Sequence, residues 1–175
     1  MLLFALLVGW QAHVHFTHDP PRKSGGSDGE IHVSGSKVRL EEPTPGGTTV
    51  VIFDGRKLRL LFPDQKQFVE LPKDEAPLAT VPPLSLAGMH PAGNEVIDGH
   101  PCTIYQRTVE TKAGRTYQRL WIPDEKNKKI FFYFLRAVTQ TDRGATKADL
   151  TDIRQAPQAR SLFRVPADYK PKRPR

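Results

Sequence analysis

Six histidines and a single cysteine hold most of the chemistry open to this 175-residue chain. His13-Val14-His15 places two imidazoles on one side of a strand, because successive side chains alternate across the pleat, and His18 follows three residues on. Such a His-x-His pair can chelate zinc or copper. If the chain were cut after Ala12, His13 would become a free N-terminus and His15 its third residue, a ligand set that wraps Cu(II) in a square plane. No carboxylate or thiolate partner accompanies the pair. The competing reading is two exposed histidines on the outer side of a first strand, with Val14 and Phe16 facing in. His13 and His15 are therefore marginal metal candidates, and no other metal or cofactor is expected.

Cys102 cannot form a disulfide within the chain, so it is either a buried core thiol or a reactive one. His100 lies two residues away, but sequence adjacency is not a nucleophile–base arrangement, and Pro101 between them reads as the start of a strand. The chain has no Gly-x-Ser-x-Gly, no His-Glu-x-x-His, no phosphate loop and no dinucleotide fingerprint. The acidic pairs Glu41-Glu42 and Asp124-Glu125 sit at expected turns, where carboxylates are solvated. No catalytic residue emerges, and no enzyme is expected.

The elements that would position a binding site are strands. With 16 prolines and 13 glycines the chain is punctuated too often for long helices, since an interior proline costs about 3 kcal/mol of helix stability. Glu30–Ser34 and Lys37–Glu41 flank Gly35-Ser36, a two-residue hairpin signal. Thr48–Phe53 and Lys57–Phe62 flank Asp54-Gly55, with Leu58, Leu60 and Phe62 on one side and Lys57 and Arg59 on the other. Lys66–Leu71 returns after Pro63-Asp64. Further strands are expected at Glu95–Ile97, Pro101–Glu110, Arg115–Ile122, Asn127–Val138 and near Thr146–Arg154, with a helical turn at Ala159–Leu162. Short connections make neighbours antiparallel. Pro72–Asn94 carries five prolines and reads as a loop or short-helix lid. Ile130–Leu135 is apolar on both faces, which fits either a strand covered on both sides or one lining a greasy cavity.

Leu2–Trp10 is an uncharged apolar run, too short to span a bilayer. It matches the central part of a secretory signal with Ala12 at the cut, so residues 1–12 are read as a signal segment lacking its basic start. A buried first strand or helix is the alternative. Residues 13–169 then form a single domain, a size that supports one core, and 170–175 (Lys-Pro-Lys-Arg-Pro-Arg) a basic disordered tail. A net charge of +7 favours anionic surfaces such as a membrane. Nucleic acid is not expected, because the basic residues are spread through strands with no zinc knuckle, helix-turn-helix or RNP motif.

Three segments resemble LolA-like proteins in order and spacing. Val51–Lys66 is similar to a strand, a "DG" turn and a strand leading to a "P-x-x-K" turn; Glu95–Tyr105 to a "V-x-G-x-x-C/A-x-x-Y" hairpin; and Ser161–Tyr169 to a closing "LF-x-V-P-x-G-Y". The resemblance implies a mainly β fold, a strongly curved antiparallel sheet forming an incomplete barrel under a lid, in a periplasmic monomer that binds lipid or lipoprotein acyl chains. Two departures stand out: the first strand follows Ala12 without a preceding helix, and the lid is rich in proline. By inward parity and size, the cavity candidates are Phe16, Phe53, Leu60, Phe62, Trp121, Phe132 and Phe134. The alternative is a cell-envelope structural or interaction module with a packed core and a basic surface.

Overall fold

Val8–Asp19 alternates strictly, with Trp10, Ala12, Val14, Phe16 and His18 buried, and forms β1. The computed structural model describes residues 8–21, 26–44, 46–71, 86–111, 114–124 and 134–172. β2 (Ser27–Ser34) and β3 (Lys37–Thr44) form the Gly35-Ser36 hairpin, and β4 (Gly47–Phe53) and β5 (Leu58–Phe62) the Asp54-Gly55 hairpin. A 3₁₀ turn at Pro63–Gln65 leads to β6 (Gln67–Leu71). β7 (His90–Ile97) and β8 (His100–Thr111) meet at Asp98-Gly99, where φ of +48° and +82° suits the two left-handed positions of a tight hairpin turn. β9 (Gly114–Pro123), β10 (Arg136–Thr141), β11 (Gly144–Pro157), a 3₁₀ turn at Arg160–Phe163 and β12 (Lys170–Pro171) complete the chain.

The strand order is β12-β6-β5-β4-β3-β2-β1-β11-β10-β9-β8-β7. The fold is mainly β, as expected, and the sheet has two ends, so it is not closed into a barrel. The ladders with an assigned register are antiparallel, except that β12 runs parallel to β6. Among the described residues there is no α-helix. Residues 72–85 of the expected lid lie outside the described residues, as do residues 127–133 of the expected strand Asn127–Val138. The described part of that strand starts at Arg136 and continues past Val138 to Thr141.

Two compact units share these strands. The first comprises Met1–His13, Gly29–Ala76 and Asp152–Arg175; the second Val14–Asp28 and Pro77–Thr151. In the first unit, Trp10 and Ala12 are buried, so this part of the apolar N-terminal run is core strand. Gly9 is required there, because a Cβ would stand 2.2 Å from the Val33 carbonyl oxygen.

The register of the first unit sorts its side chains onto two faces. Ile31 lies opposite Leu40, Leu40 opposite Val51, Val51 opposite Leu60, and Leu60 opposite Val69. This Leu60 face also carries Phe53, Leu58 and Phe62 by alternation. On the opposite face Val50 pairs with Leu61 and Leu61 with Phe68; Val50, Ile52 and Leu61 are buried, with Phe68, Val165 and Tyr169 packed against them. The C-terminal segment thus covers this Ile52 face, held also by the Arg39 guanidinium donating to the Leu162 carbonyl at 3.3 Å.

In the second unit, Leu120 lies opposite Tyr105 and Ala137, and Ala137 opposite Ala148, which makes one apolar face. Gln118 is fully buried on it and accepts a 2.7 Å hydrogen bond from Arg107 Nε. β7 ends the sheet almost wholly exposed; Pro91 and the bulge before Gly93 interrupt its hydrogen-bonding edge, a common protection against strand addition.

Candidate functional site

The Leu60 face of the first unit is not uniformly covered. Ile31, Val38, Leu40, Val51 and Leu58 are buried, but Phe53, Leu60 and Phe62 are only half-buried, as are Val69 and Leu71 beside them on β6. Alternation and pairing bring these residues together: Phe53 lies opposite Leu58, Leu60 opposite Val69 and Leu58 opposite Leu71. Fully burying one such side chain is worth about 1.5–3 kcal/mol, so each partly exposed residue retains at most about 0.5–1 kcal/mol that a covering apolar group would recover.

The strip has a charged margin. Lys170 pairs with Gln67 across the parallel ladder, which sets Lys170 on the Leu60 face and Pro171 on the other. The Lys172 ammonium lies 4.8 Å from the centre of the Phe62 ring, a cation–π contact. Backbone hydrogen bonds fix this segment: Lys170 N–H donates to the Lys66 carbonyl at 2.9 Å and Lys172 N–H to that of Phe68 at 2.8 Å. Lys170 and Pro171, expected at the start of a loose tail, are therefore strand; residues 173–175 lie outside the described residues.

Two cations on the Ile52 side of β5 and its turn are matched. Arg59 donates to Asp54 at 2.6 Å and to Glu70 at 3.2 Å, and Lys57 pairs with Glu70 at 2.7 Å. Desolvation alone would raise the Asp54 pKa, but the Lys57 N–H, Arg59 and the Arg56 N–H together outweigh it and bring the group down to about 2.

The remaining sequence candidates are placed elsewhere. Phe16 and Phe134 are buried in the second unit, and Phe132 lies outside the described residues. Trp121 lies on the side of β9 opposite Leu120 and Ile122; its indole N–H donates to Glu95 at 2.6 Å, and Arg136 stands 5.9 Å from its ring. The structure thus brings Phe53, Leu60 and Phe62 together and leaves Trp121 in a polar network with Glu95, Arg136 and Asp149. Val69 and Leu71, absent from the sequence candidates, lie on the same face, and Lys170 and Lys172 border it. Val69 and Leu71 are two residues apart on a recognised strand, and that spacing could have found them.

His13 and His15 are exposed on one side of β1, and each ring faces a carboxylate: His13 Nε2 is 4.0 Å from Asp152, and His15 Nδ1 is 2.7 Å from Asp28. Among the described residues, no group of three or more histidine, cysteine, aspartate or glutamate side chains is placed to hold a metal ion. A small cleft is lined by Gln11, Ala12, His13, Glu30, His32, Asp152 and Arg154. Cys102 is fully buried and donates to the His100 carbonyl at 3.3 Å, a core thiol.

No family model and no curated protein matches this sequence. Solved structures do align with the fold. An uncharacterized conserved protein from Thermus thermophilus matches at a TM-score of 0.59 and 14% identity, covering 97% of this chain and 92% of its own. Lipoprotein LppX from Mycobacterium tuberculosis matches at 0.43 and 14% identity over 82% and 85% of the two chains. LprF from Mycobacterium bovis matches at 0.44 and 14% identity over 91% and 90%. What the chain shares with the Thermus protein, at that identity, is the fold.

Proposed function

We propose that this chain is a non-catalytic, carrier-like module of the bacterial cell envelope that holds an acyl chain of a lipid or lipoprotein against the Leu60 face of its first unit. One observation carries the reading: Phe53, Leu60 and Phe62 lie on one apolar face and stay partly exposed beside buried neighbours on the same strands. The segments Val51–Lys66, Glu95–Tyr105 and Ser161–Tyr169, which resemble LolA-like proteins, supply the envelope context. The proposed location is the periplasm and the proposed state a monomer. Phe16, Trp121 and Phe134 are set in the second unit, so the proposed acyl site narrows to Phe53, Leu60 and Phe62 with Val69 and Leu71.

Apolar contact gives about 0.8 kcal/mol for each buried methylene, so a long chain does not need every atom covered to bind measurably. Native mass spectrometry of gently purified protein should show co-purifying lipid, and a fluorescent acyl probe should bind. Leu60→Gln should weaken the probe about tenfold, the equivalent of one lost buried side chain. Protein that carries no lipid and takes up no probe overturns the proposal.

A second reading, an envelope interaction module with a packed core, draws on the Ile52 face, whose core is closed by the chain's own C-terminal segment. Its partner would be held by basic surface charge and released by salt, since exposed charges are screened beyond about 10 Å at 0.1 M. Export is tested by sequencing the N-terminus of the envelope fraction. A cut at Ala12 would remove Trp10, which is 3% exposed, and should cost about 3–5 kcal/mol; a cut before Val8 would leave β1 whole.

A further inference from the structure

We infer that Lys170 and Lys172 form a headgroup subsite for the amphiphile whose acyl chain lies on the Leu60 face, and that they select an anionic, oxyanion-bearing headgroup such as a carboxylate or phosphate. The inference rests on the acyl-binding reading above and adds the ligand's charge.

Its basis is the parallel β12–β6 ladder. Lys170 pairs with Gln67 and Pro171 with Phe68. Gln67 in turn pairs with Phe62, and Phe68 with Leu61. Alternation therefore puts Lys170 and Lys172 on the same face as Phe62 and Leu60, while Tyr169 and Pro171 turn to the Ile52 face. Two observations agree with this assignment. Tyr169 packs against the Val50, Ile52 and Leu61 cluster, and the Lys172 ammonium stands over the Phe62 ring at 4.8 Å.

The two lysines are two residues apart on one strand, about 7 Å between Cα atoms, so both ammonium groups can reach one oxyanion. Leu60 lies two strands in from Lys172, about 10 Å, which sets the apolar strip directly beside the charged margin. Their backbone is held by the N–H bonds to Lys66 and Phe68, so the pair is positioned before a ligand arrives. Nearby cations are occupied: Lys66 by Asp168 at 2.9 Å, Lys57 by Glu70, Arg59 by Asp54. Among the described residues, neither Lys170 nor Lys172 has a carboxylate within ion-pair distance. A cationic pair without carboxylate partners beside a partly exposed apolar face fits a molecule with a greasy chain and a negative head.

The test compares a fluorescent long-chain fatty acid with its uncharged alcohol on the full chain. Wild type should bind the acid about fivefold more tightly, as expected for two exposed charge contacts. The double variant Lys170→Gln/Lys172→Gln should lose that preference while keeping its affinity for the alcohol. Lys170→Arg/Lys172→Arg should retain it, and added salt should reduce it in wild type. Both glutamine substitutions are at exposed positions, and unchanged alcohol binding certifies the fold. Equal binding of acid and alcohol by wild type, or a preference that survives the double glutamine variant, overturns the headgroup subsite and leaves the acyl site standing. If neither probe binds, the acyl reading itself fails and the subsite with it. Inorganic phosphate alone is the second arm: phosphate that binds wild type as tightly as the acid would mean that the lysines hold a free anion, and would overturn the inference.

Discussion

The two faces of the first unit are made by the same strands and reach opposite ends. β4 serves both, with Val50 and Ile52 on one side and Val51 and Phe53 on the other. On the Ile52 face the chain's own C-terminal segment covers the apolar residues, and Arg39, Lys57 and Arg59 have carboxylate partners. On the Leu60 face Phe53, Leu60 and Phe62 stay partly exposed, and among the described residues Lys170 and Lys172 stand at the margin without such partners. A face completed from within has done its work once the chain folds. A face left with recoverable apolar area and unmatched charge has affinity still to spend on another molecule.

The sharpest way to break this contrast is to truncate one side chain on each face. Ile52 is 0% exposed, so Ile52→Ala should cost about 2–5 kcal/mol, from lost transfer energy and a cavity that packed neighbours fill poorly. Leu60→Ala removes a half-buried side chain and should cost only about 1–2 kcal/mol. Urea unfolding midpoints measure both. For acyl-probe binding the order should reverse, with Leu60→Ala impaired and folded Ile52→Ala close to wild type. Equal stability losses, or equal binding losses, would erase the distinction between the faces.

Tyr169 tests whether the C-terminal segment is the cover. It is half-buried against the Val50, Ile52 and Leu61 cluster, and Tyr169→Ala should lose about 1–2 kcal/mol by the same unfolding measurement. Hydrogen exchange should also speed at the amides of Lys170 and Lys172, whose bonds to Lys66 and Phe68 continue the same segment.

Much of this arrangement was legible in the residues, and the parts that were not have identifiable causes. Asp98-Gly99 marked its hairpin because a tight turn needs two left-handed positions, Gly55 supplies one such position between β4 and β5, and Leu58, Leu60 and Phe62 declared a side by strict alternation. Val50-Val51-Ile52-Phe53 declared none, since a strand buried on both sides has no polar residue to mark the outside. Leu120-Trp121-Ile122 hides Trp121 in the same way: three buried neighbours in a row do not reveal that the indole faces Glu95. β12 was illegible for another reason. Lys-Pro-Lys has no apolar period, and its place comes from backbone hydrogen bonds to β6 together with the anchoring of Tyr169 just before it. From sequence alone, the lysines of the proposed subsite look like tail.

Asp54 probes the paired charge on the Ile52 side. Its carboxyl, brought down to about 2 against an ordinary 3.8, is more acidic folded than unfolded. Its contribution is thus fully present above the unfolded value and is lost as pH falls from about 4 to about 2. Discounted for solvent screening, it amounts to about 1 kcal/mol. Asp54→Asn keeps an oxygen that can accept from the Arg56 and Lys57 N–H groups and removes only the charge facing Arg59. The variant should be less stable than wild type at pH 7, and the gap between their urea midpoints should close as the pH approaches 2. A gap that does not change with pH would mean that the turn, not the charge, carries the effect.

The smallest effect is expected where a cation already has a partner but little is buried. Lys66 pairs with Asp168 at 2.9 Å in open solvent, an arrangement that raises the lysine pKa and lowers the aspartate's through their hydrogen bond. Exposed pairs of this kind contribute little because water screens them and two flexible side chains must be ordered. Lys66→Ala should leave the unfolding midpoint within measurement error and the acid-over-alcohol preference of the probe unchanged. Lys170 and Lys172 are as exposed as Lys66, so general positive charge alone would make all three substitutions alike. A preference lost with Lys170 and Lys172 but kept without Lys66 would instead tie selectivity to the register that sets those two residues beside Phe62 and Leu60.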